Sequence, residues 1–496
     1  MKKSAFEGVH PMKNKLFLEK AEALRPVLIE KETVKNCDVL LKKGDEVFYD
    51  FGNHFVGCLS LDFSQVGAYP DAPLQLHLSF YENSEEFDED PAAYRGGLGG
   101  SWIQEERIHI DDVPGIHRLP RRYAFRYLRI RVMDHSGNYT IRLNRLILNS
   151  VSSADDTRLL TFSGREEDRL MDTVAVRTLH ECMQTVFEDG PKRDRRLWLG
   201  DLRLQAMANY VTYRNYDLVK RCLYLFAGDT LDNGQVAADI FCQARVVRDD
   251  LRMTDYSLFF ISTLWDYYGA TGDLETLTEL APTARRQYEV VSESFTEGQI
   301  MGQKMVDECF VDWSGLEEKQ SAAQAIYVYA LKDLVKICQV LGQPTKQLEE
   351  EIRRKSETAR SRWFDREQGV FLGGDRGTLS WASQIWMILS GIVSPEEGTD
   401  LLQRIEACPN ATPAATPYLY HHYIQALLLC GQKQKAYEKM KAYWGGMLDR
   451  GADTFWEIYN PDDPDLSPYG GKIIHSYCHA WSCTPAYFLR TCFRET

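Results

Sequence analysis

Apolar and polar residues alternate along the first 150 residues of the chain. Leu74, Leu76, Leu78 and Phe80 alternate with polar neighbours, and residues 123–132 carry their apolar side chains on one face. A period of two is typical of strands that pack one face against a core. The same pattern recurs in residues 47–52, 56–63, 107–110 and 139–148, with predicted turns at Gly52, Gly57, Gly115 and Gly137. These segments predict an antiparallel β-sandwich over residues 1–155.

After this domain the apolar residues follow a helical period. Helices are predicted over residues 255–268, 321–341, 380–389, 418–429 and 432–444. Glycines stand between these segments and mark the helix ends, at Gly269, Gly342, Gly391 and Gly431. No strict repeat motif is visible, which disfavours a solenoid of standard repeats. Residues 156–496 are therefore predicted to form a helical toroid or barrel.

Composition and charge exclude several classes of function. The formal net charge is −14, which disfavours nucleic acid or an anionic membrane as a partner, because both need clustered Lys and Arg. The twelve cysteines are scattered without CxxC pairs, which predicts reduced thiols and argues against structural zinc. The basic start of the chain lacks the continuous apolar stretch of an export signal. We expect a cytoplasmic protein with a small neutral ligand.

Residues 188–201 contain the densest set of chemically active side chains, with the sequence EDGPKRDRRLWLGD. Carboxylates can accept sugar hydroxyl protons or exchange protons with a glycosidic oxygen, and arginines can hold carboxylates in place. A charged surface loop is the alternative interpretation. Trp198 disfavours it, because an indole among so many charges is typical of a lined cavity. This segment predicts a sugar pocket.

A second group of candidate residues lies near the C-terminus. Glu457 follows Trp456, and an aromatic neighbour suits a partly desolvated general acid or base. A helix-capping role for Glu457 is an equally good interpretation. His479 lies close to Trp481, where a packed, hydrogen-bonded histidine is the commoner case.

Together, these motifs resemble those of glycoside hydrolase family 78, the inverting α-L-rhamnosidases. The family has a D-x-P-x-R-D/E element followed by W-x-G-D, then T-x-W-E, then S-x-x-H-x-W. The matching residues are Asp189, Pro191, Arg193, Asp194, Trp198, Gly200 and Asp201, then Thr454, Trp456 and Glu457, then Ser476, His479 and Trp481. An intermediate segment resembles the family's aspartate-tryptophan loop and would place Asp312 and Trp313 near the pocket.

The resemblance implies a β-sandwich followed by an (α/α)6 barrel that removes a terminal sugar from small oligosaccharides or glycosides. Asp194 would be the general acid, and Glu457 the general base that activates water. No metal or cofactor is implied, and the oligomeric state is left open. The implied sugar subsite consists of Asp189, Arg193, Trp198, Asp201, Trp313, Trp456 and His479.

The chain departs from the family at the acid, which is usually a glutamate directly after the arginine or one residue later. In the first register Asp194 is the acid, with a side chain one methylene shorter. In the second register Arg195 stands at the acid position, and an arginine stays protonated at neutral pH. The spacing from Arg193 to Trp198 favours the first register.

Three other functions fit the sequence. The same fold could hydrolyse another sugar, since fold does not determine substrate. The chain could be a sugar-binding protein without activity, as expected if Arg195 replaces the acid. The arginines of residues 193–196 could instead grip the carboxylate of a uronide that is hydrated or eliminated.

Overall fold

The computed structural model describes residues 13–463 and 465–494. The first twelve residues, which the sequence assigns to the N-terminal domain, lie outside the described residues. Helix α1 (Lys15–Ala23) precedes the N-terminal sheet and packs against the helical domain. The strands of the sheet are β1 (Ile29–Leu41), β2 (Glu46–Gly67), β3 (Leu74–Tyr81), β4 (Glu105–Ile110), β5 (Gly115–Arg118), β6 (Tyr123–Asp134) and β7 (Tyr139–Ser152).

The strands form one antiparallel sheet in the order β1-β7-β2-β6-β3-β4, with β5 also paired to β2. Strand β2 joins the two halves of the sheet: residues 46–57 pair with β6, and residues 57–67 pair with β7. The sequence predicted two strands here, with turns at Gly52 and Gly57. That prediction is wrong, because Gly52 lies in a bulge within β2 and Gly57 pairs with both neighbouring strands.

The rest of the chain is mostly helical. Its helices are α2 (Arg169–Cys182), α3 (Leu199–Tyr210), α4 (Tyr216–Gly228), α5 (Thr254–Thr271), α6 (Leu274–Ser292), α7 (Gln303–Asp307), α8 (Gln320–Val340), α9 (Lys346–Trp363), α10 (Trp381–Leu389), α11 (Pro395–Glu406), α12 (Pro417–Leu429), α13 (Lys433–Asp449) and α14 (Pro485–Thr491). Its short strands are β8 (Arg196–Trp198), β9 (Asp239–Phe241), β10 (Val247–Arg248), β11 (Phe364–Asp365) and β12 (Val370–Phe371).

Six helical hairpins close into a barrel, as predicted. The inner ring runs α3, α5, α8, α10, α12 and residues 480–491, which return to α3. The outer ring contains α4, α6, α9, α11, α13 and α2. Inner helices are mostly buried, and every residue of α3 except Tyr210 is buried. Outer helices bury one stripe, which on α9 consists of Leu348, Glu351, Lys355, Ala359 and Trp363.

Buried ion pairs attach the sheet domain to the barrel. Lys192 Nζ donates to Glu86 Oε2 at 2.5 Å and to the His475 carbonyl at 2.8 Å. Arg122 binds Glu188 through two hydrogen bonds of 3.1 and 2.7 Å. Because a buried charge is costly without a partner, these pairs fix residues 188–192 against the N-terminal domain. Within the described residues, none of the helices has the length and apolar character needed to cross a membrane.

Candidate active site

A pocket of about 360 Å³ lies where the N-terminal domain meets one end of the barrel. Its floor is buried and rich in charge, whereas its rim is half-exposed and largely apolar. Eight of the nine predicted site residues line it: Asp189, Arg193, Asp194, Trp198, Asp201, Trp313, Glu457 and His479. The other lining residues are Leu98, Trp102, Arg196, Leu251, Met253, Tyr256, Phe310, Tyr469 and Trp481.

The backbone at Asp194 and Arg195 separates the two side chains. Both residues have left-handed φ angles, 58° and 52°, which are unusual outside glycine. Asp194 lines the pocket, while Arg195 turns to the N-terminal domain and donates to the carbonyl oxygens of Lys192 at 3.3 Å and Arg122 at 3.2 Å. Among the residues that the structure describes, no hydrogen bond or salt bridge to the Asp194 carboxylate is found.

Three carboxyl groups lie near one another on this side of the pocket. Asp189 accepts a hydrogen bond of 3.0 Å from the Arg196 backbone N–H. Burial, and then the negative charges of Asp194 and Asp201, raise the pKa of Asp189 well above its usual value. Asp189 therefore keeps its proton at pH values where an isolated carboxyl group is charged.

Glu457 belongs to the group of candidate residues near the C-terminus, and two hydrogen-bond donors bind its carboxylate. Arg193 pairs with Glu457 Oε2, and the Tyr469 hydroxyl donates to Oε1 at 2.7 Å. Burial raises the pKa of Tyr469 to about 12, so its phenol stays protonated and donates. Glu457 lies outside any helix, so its interpretation as a helix cap is wrong. Both donors favour the ionised carboxylate.

His479 is packed, hydrogen-bonded and part of the pocket. Its Nε2 lies 3.1 Å from Asp201 Oδ1, and its ring centroid lies 4.5 Å from that of Trp481. Burial lowers the pKa of His479, an effect only partly offset by Asp201, so the imidazole is neutral at pH 7. A neutral imidazole donates from Nε2 and thereby orients Asp201.

Aromatic rings cover the remaining wall. Phe310 contacts Trp313 edge-on at 5.3 Å and stacks on Trp481 at 5.9 Å, and Tyr256 meets Trp198 edge-on at 6.3 Å. The sequence did not identify Tyr256, Phe310 or Tyr469, because each is brought to the pocket by a different loop or helix. Asp255 holds the Phe310 loop by accepting from the backbone N–H groups of residues 310 and 311 at 3.0 and 2.9 Å.

Trp456 does not line this pocket. It is 4% exposed and packs between Tyr459 and Tyr477, with ring centroids 5.9 and 5.1 Å away. Its neighbour Glu457 points into the pocket, so the two adjacent side chains leave the backbone in different directions. Asp312 also has a structural role, since it accepts hydrogen bonds from Ala415 N at 2.8 Å and from Thr416 Oγ1 at 2.5 Å.

Within the described residues, no group of three or more side chains is arranged to hold a metal ion.

Comparisons with known proteins identify the family. Residues 19–150 match the model of the glycosyl hydrolase family 78 α-rhamnosidase N-terminal domain. Residues 160–493 match the model of the bacterial α-L-rhamnosidase six-hairpin glycosidase domain. The chain belongs to glycoside hydrolase family 78. A search of curated proteins gave no match.

Solved structures of rhamnosidases agree with this assignment. A rhamnosidase from Klebsiella oxytoca with rhamnose bound is 41% identical and has a TM-score of 0.92, with 96% of this chain and 98% of that chain covered. A family 78 rhamnosidase of Bacillus sp. GL1 is 20% identical, with a TM-score of 0.76 and coverage of 91% and 47%. The Streptomyces avermitilis α-L-rhamnosidase complexed with L-rhamnose is 15% identical, with a TM-score of 0.68 and coverage of 94% and 44%. The last two show the fold alone, and this chain spans less than half of their length.

Proposed function

We propose that this protein hydrolyses terminal α-L-rhamnosides of small glycosides or oligosaccharides with inversion at the anomeric carbon. The observation that carries the proposal is the meeting of Asp194 and Glu457 in one pocket, although they are far apart in sequence. An inverting hydrolase needs one carboxyl group to protonate the leaving oxygen and a second to activate water. The relative at 41% identity, a rhamnosidase with rhamnose bound, supports the choice of sugar.

Asp194 suits the general acid. Its carboxyl group reaches the pocket and has no hydrogen-bonding partner among the described residues, so it is free to meet a glycosidic oxygen. Burial and the nearby negative charges raise the pKa of Asp189, so a carboxyl group whose neutral form is favoured lies beside Asp194. Arg195, the other candidate for this position, lies outside the pocket, which supports the register with Asp194.

Glu457 suits the general base. Arg193 and Tyr469 hold its carboxylate in the ionised form that a base requires. A water beside this carboxylate would lose a proton as it attacks the anomeric carbon. The leaving oxygen takes its proton from Asp194, and because water itself attacks the anomeric carbon, no covalent intermediate forms.

The pocket floor suits a 6-deoxy sugar. Asp189 and Asp201 offer carboxyl oxygens as polar partners to ring hydroxyls. Tyr256 and Phe310 offer apolar surface, against which a C6 methyl group can pack. The combination of apolar and polar groups in one pocket provides the discrimination.

The alternative of a uronide enzyme has less support. Arg193 is committed to Glu457, and Arg195 lies outside the pocket. Arg196 lies 3.7 Å from Asp239 and 3.8 Å from Asp249. Their charges are therefore engaged by protein groups.

The test is hydrolysis of aryl α-L-rhamnoside beside a panel of other aryl glycosides. We expect turnover of the rhamnoside, and a fall of at least roughly a hundredfold in kcat for Asp194→Asn and for Glu457→Gln, because general acid–base catalysis contributes about 10²–10⁴-fold. Asp217→Asn and Glu349→Gln remove exposed carboxylates and serve as controls. Near wild-type rates in either pocket variant would overturn the proposed roles, and turnover of another glycoside alone would change the sugar.

A further inference from the structure

The rim of the pocket differs from its floor. Most of the partly exposed side chains that line the pocket are uncharged, among them Leu98, Trp102, Leu251, Met253 and Trp313, with Trp313 at 44% and Leu251 at 39%; Asp194 and Arg196 are partly exposed as well. The carboxylates of Asp189, Asp201 and Glu457 lie in the buried floor. We propose that this rim binds an apolar leaving group and that Trp102 and Leu98, from the N-terminal domain, determine specificity for it. The inference rests on the proposed rhamnoside hydrolysis.

The loop that carries Leu98 and Trp102 is fastened beside the active site. It lies between β3 and β4, and Trp102 ends a short 3₁₀ helix, Gly100–Trp102. The Tyr94 hydroxyl and the Gly97 N–H both donate to the carbonyl oxygen of Tyr469, at 3.0 and 3.2 Å. Tyr469 also binds Glu457, so one residue connects the loop to the proposed base.

Close packing fixes this loop further. A Cβ on Gly96 would lie 1.8 Å from the Tyr469 carbonyl oxygen, so only glycine allows this approach. The Leu98 N–H donates to the Tyr94 hydroxyl at 3.3 Å. These contacts fix the loop as one wall of the pocket.

Arg195 supports Trp102 from outside the pocket. Its guanidinium carbon lies 6.0 Å from the centroid of the Trp102 ring. The same guanidinium is anchored on the Arg122 carbonyl of the N-terminal domain. The residue that stands next to the proposed acid thus positions a rim tryptophan.

The chemistry of the rim indicates its ligand. Sugar hydroxyl groups need polar partners, and the five rim side chains offer apolar surface instead. An indole and a leucine that remain partly exposed lose contact with water when an apolar group covers them, which favours binding. Because the floor is occupied by the terminal sugar, the group at the rim is the leaving group.

The experiment compares two alkyl rhamnosides with leaving groups of similar basicity, ethyl α-L-rhamnoside and 2-(2-naphthyl)ethyl α-L-rhamnoside. Release of L-rhamnose gives kcat/KM for each. We expect wild type to prefer the naphthyl compound, and Trp102→Ala to lower that preference about tenfold, which corresponds to 1.4 kcal/mol. Leu98→Ala lowers it less, and Trp102→Phe keeps most of it. Trp265→Ala, which removes a partly buried tryptophan on α5 outside the pocket lining, leaves the preference unchanged.

The remaining outcomes of this experiment would overturn either the inference or the proposed function. An unchanged preference in an active Trp102→Ala variant would overturn the inference. Equal losses on both substrates would also overturn it, because they would place Trp102 in the support of the sugar site or of the fold. A wild-type protein that hydrolyses neither compound would reject the proposed function itself, which separates the two failures.

Discussion

Tyr469→Phe removes one hydrogen bond from the proposed base and leaves its surroundings otherwise intact. The phenylalanine ring still faces the Arg193 guanidinium, whose carbon lies 4.4 Å from the Tyr469 ring centroid, and still meets Trp313 at 6.0 Å. The lost hydroxyl donates to Glu457 Oε1 at 2.7 Å. Because a donor stabilises the ionised carboxylate, its removal makes Glu457 easier to protonate.

The size of the effect follows from the strength of that bond. A hydrogen bond to a charged group contributes about 1.5–3 kcal/mol, and 1.36 kcal/mol corresponds to one pH unit. Since Arg193 still pairs with the carboxylate, the lower end of this energy range applies. The acidic limb of the pH profile of kcat/KM therefore moves to higher pH by roughly one unit.

The assay is rhamnoside hydrolysis at a series of pH values, with thermal unfolding as a check on the fold. Tyr423→Phe is the matched control, because its hydroxyl donates to Glu406 at 2.6 Å, outside the pocket. We expect Tyr423→Phe to be less stable than wild type and to keep the acidic limb of the pH profile at its wild-type position. An unmoved limb in a folded, active Tyr469→Phe protein would refute the assignment of Glu457 as the base held by Tyr469.

Three further predictions test the carboxyl cluster, the rim loop and the domain interface. Asp189→Asn replaces a carboxyl group whose neutral form is already favoured, so the pH profile of kcat/KM keeps its limbs close to those of wild type. Gly96→Ala lowers the free energy of unfolding by about 1–3 kcal/mol through overpacking, and lowers selectivity for the naphthyl rhamnoside. Lys192→Met destabilises the fold by about 3–5 kcal/mol at pH 8, as measured by urea unfolding, because it leaves Glu86 buried and unpaired.

The interface prediction also has a pH dependence. Burial, only partly offset by Lys192, raises the pKa of Glu86 to about 7. A raised carboxyl pKa favours the folded state at low pH, and this contribution disappears as the pH rises through the folded value. Without Lys192 the carboxyl group is protonated still more readily, so the loss of stability in Lys192→Met is smaller at pH 5 than at pH 8.

Each of these predictions has a contradicting result. A limb that moves in Asp189→Asn would mean that Asp189 is ionised in the active protein. Wild-type stability in Gly96→Ala would mean that the loop moves away freely. Equal destabilisation of Lys192→Met at pH 5 and pH 8 would show that packing, and not charge, holds the interface.

Sequence periodicity predicted the barrel closely and the sheet less well. The segment 255–268 corresponds to α5, Thr254–Thr271, because this inner helix is rich in apolar residues along most of its length. Strand β1, Ile29–Leu41, was not predicted, since most of its side chains are exposed and its apolar signal is weak. The division between residues 155 and 156 stays a prediction.

The sequence predicted the site residues that belong to a local motif. The segment from Asp189 to Asp201 runs through a turn, β8 and the start of α3, so its site residues are close in sequence and the motif identified them. Leu98 and Trp102 carried no signal, because nothing in residues 94–104 indicates that tertiary contacts with Tyr469 bring this loop to the pocket. Trp456 was misplaced, because adjacency to Glu457 does not determine the direction of its side chain.

The most direct test of the proposed reaction is NMR observation of the first sugar released from an aryl α-L-rhamnoside by the wild-type protein. Inversion with Asp194 as acid and Glu457 as base predicts β-L-rhamnose as the first product, followed by slow mutarotation. Initial release of α-L-rhamnose would contradict the mechanism, because retention requires a covalent intermediate on a carboxylate.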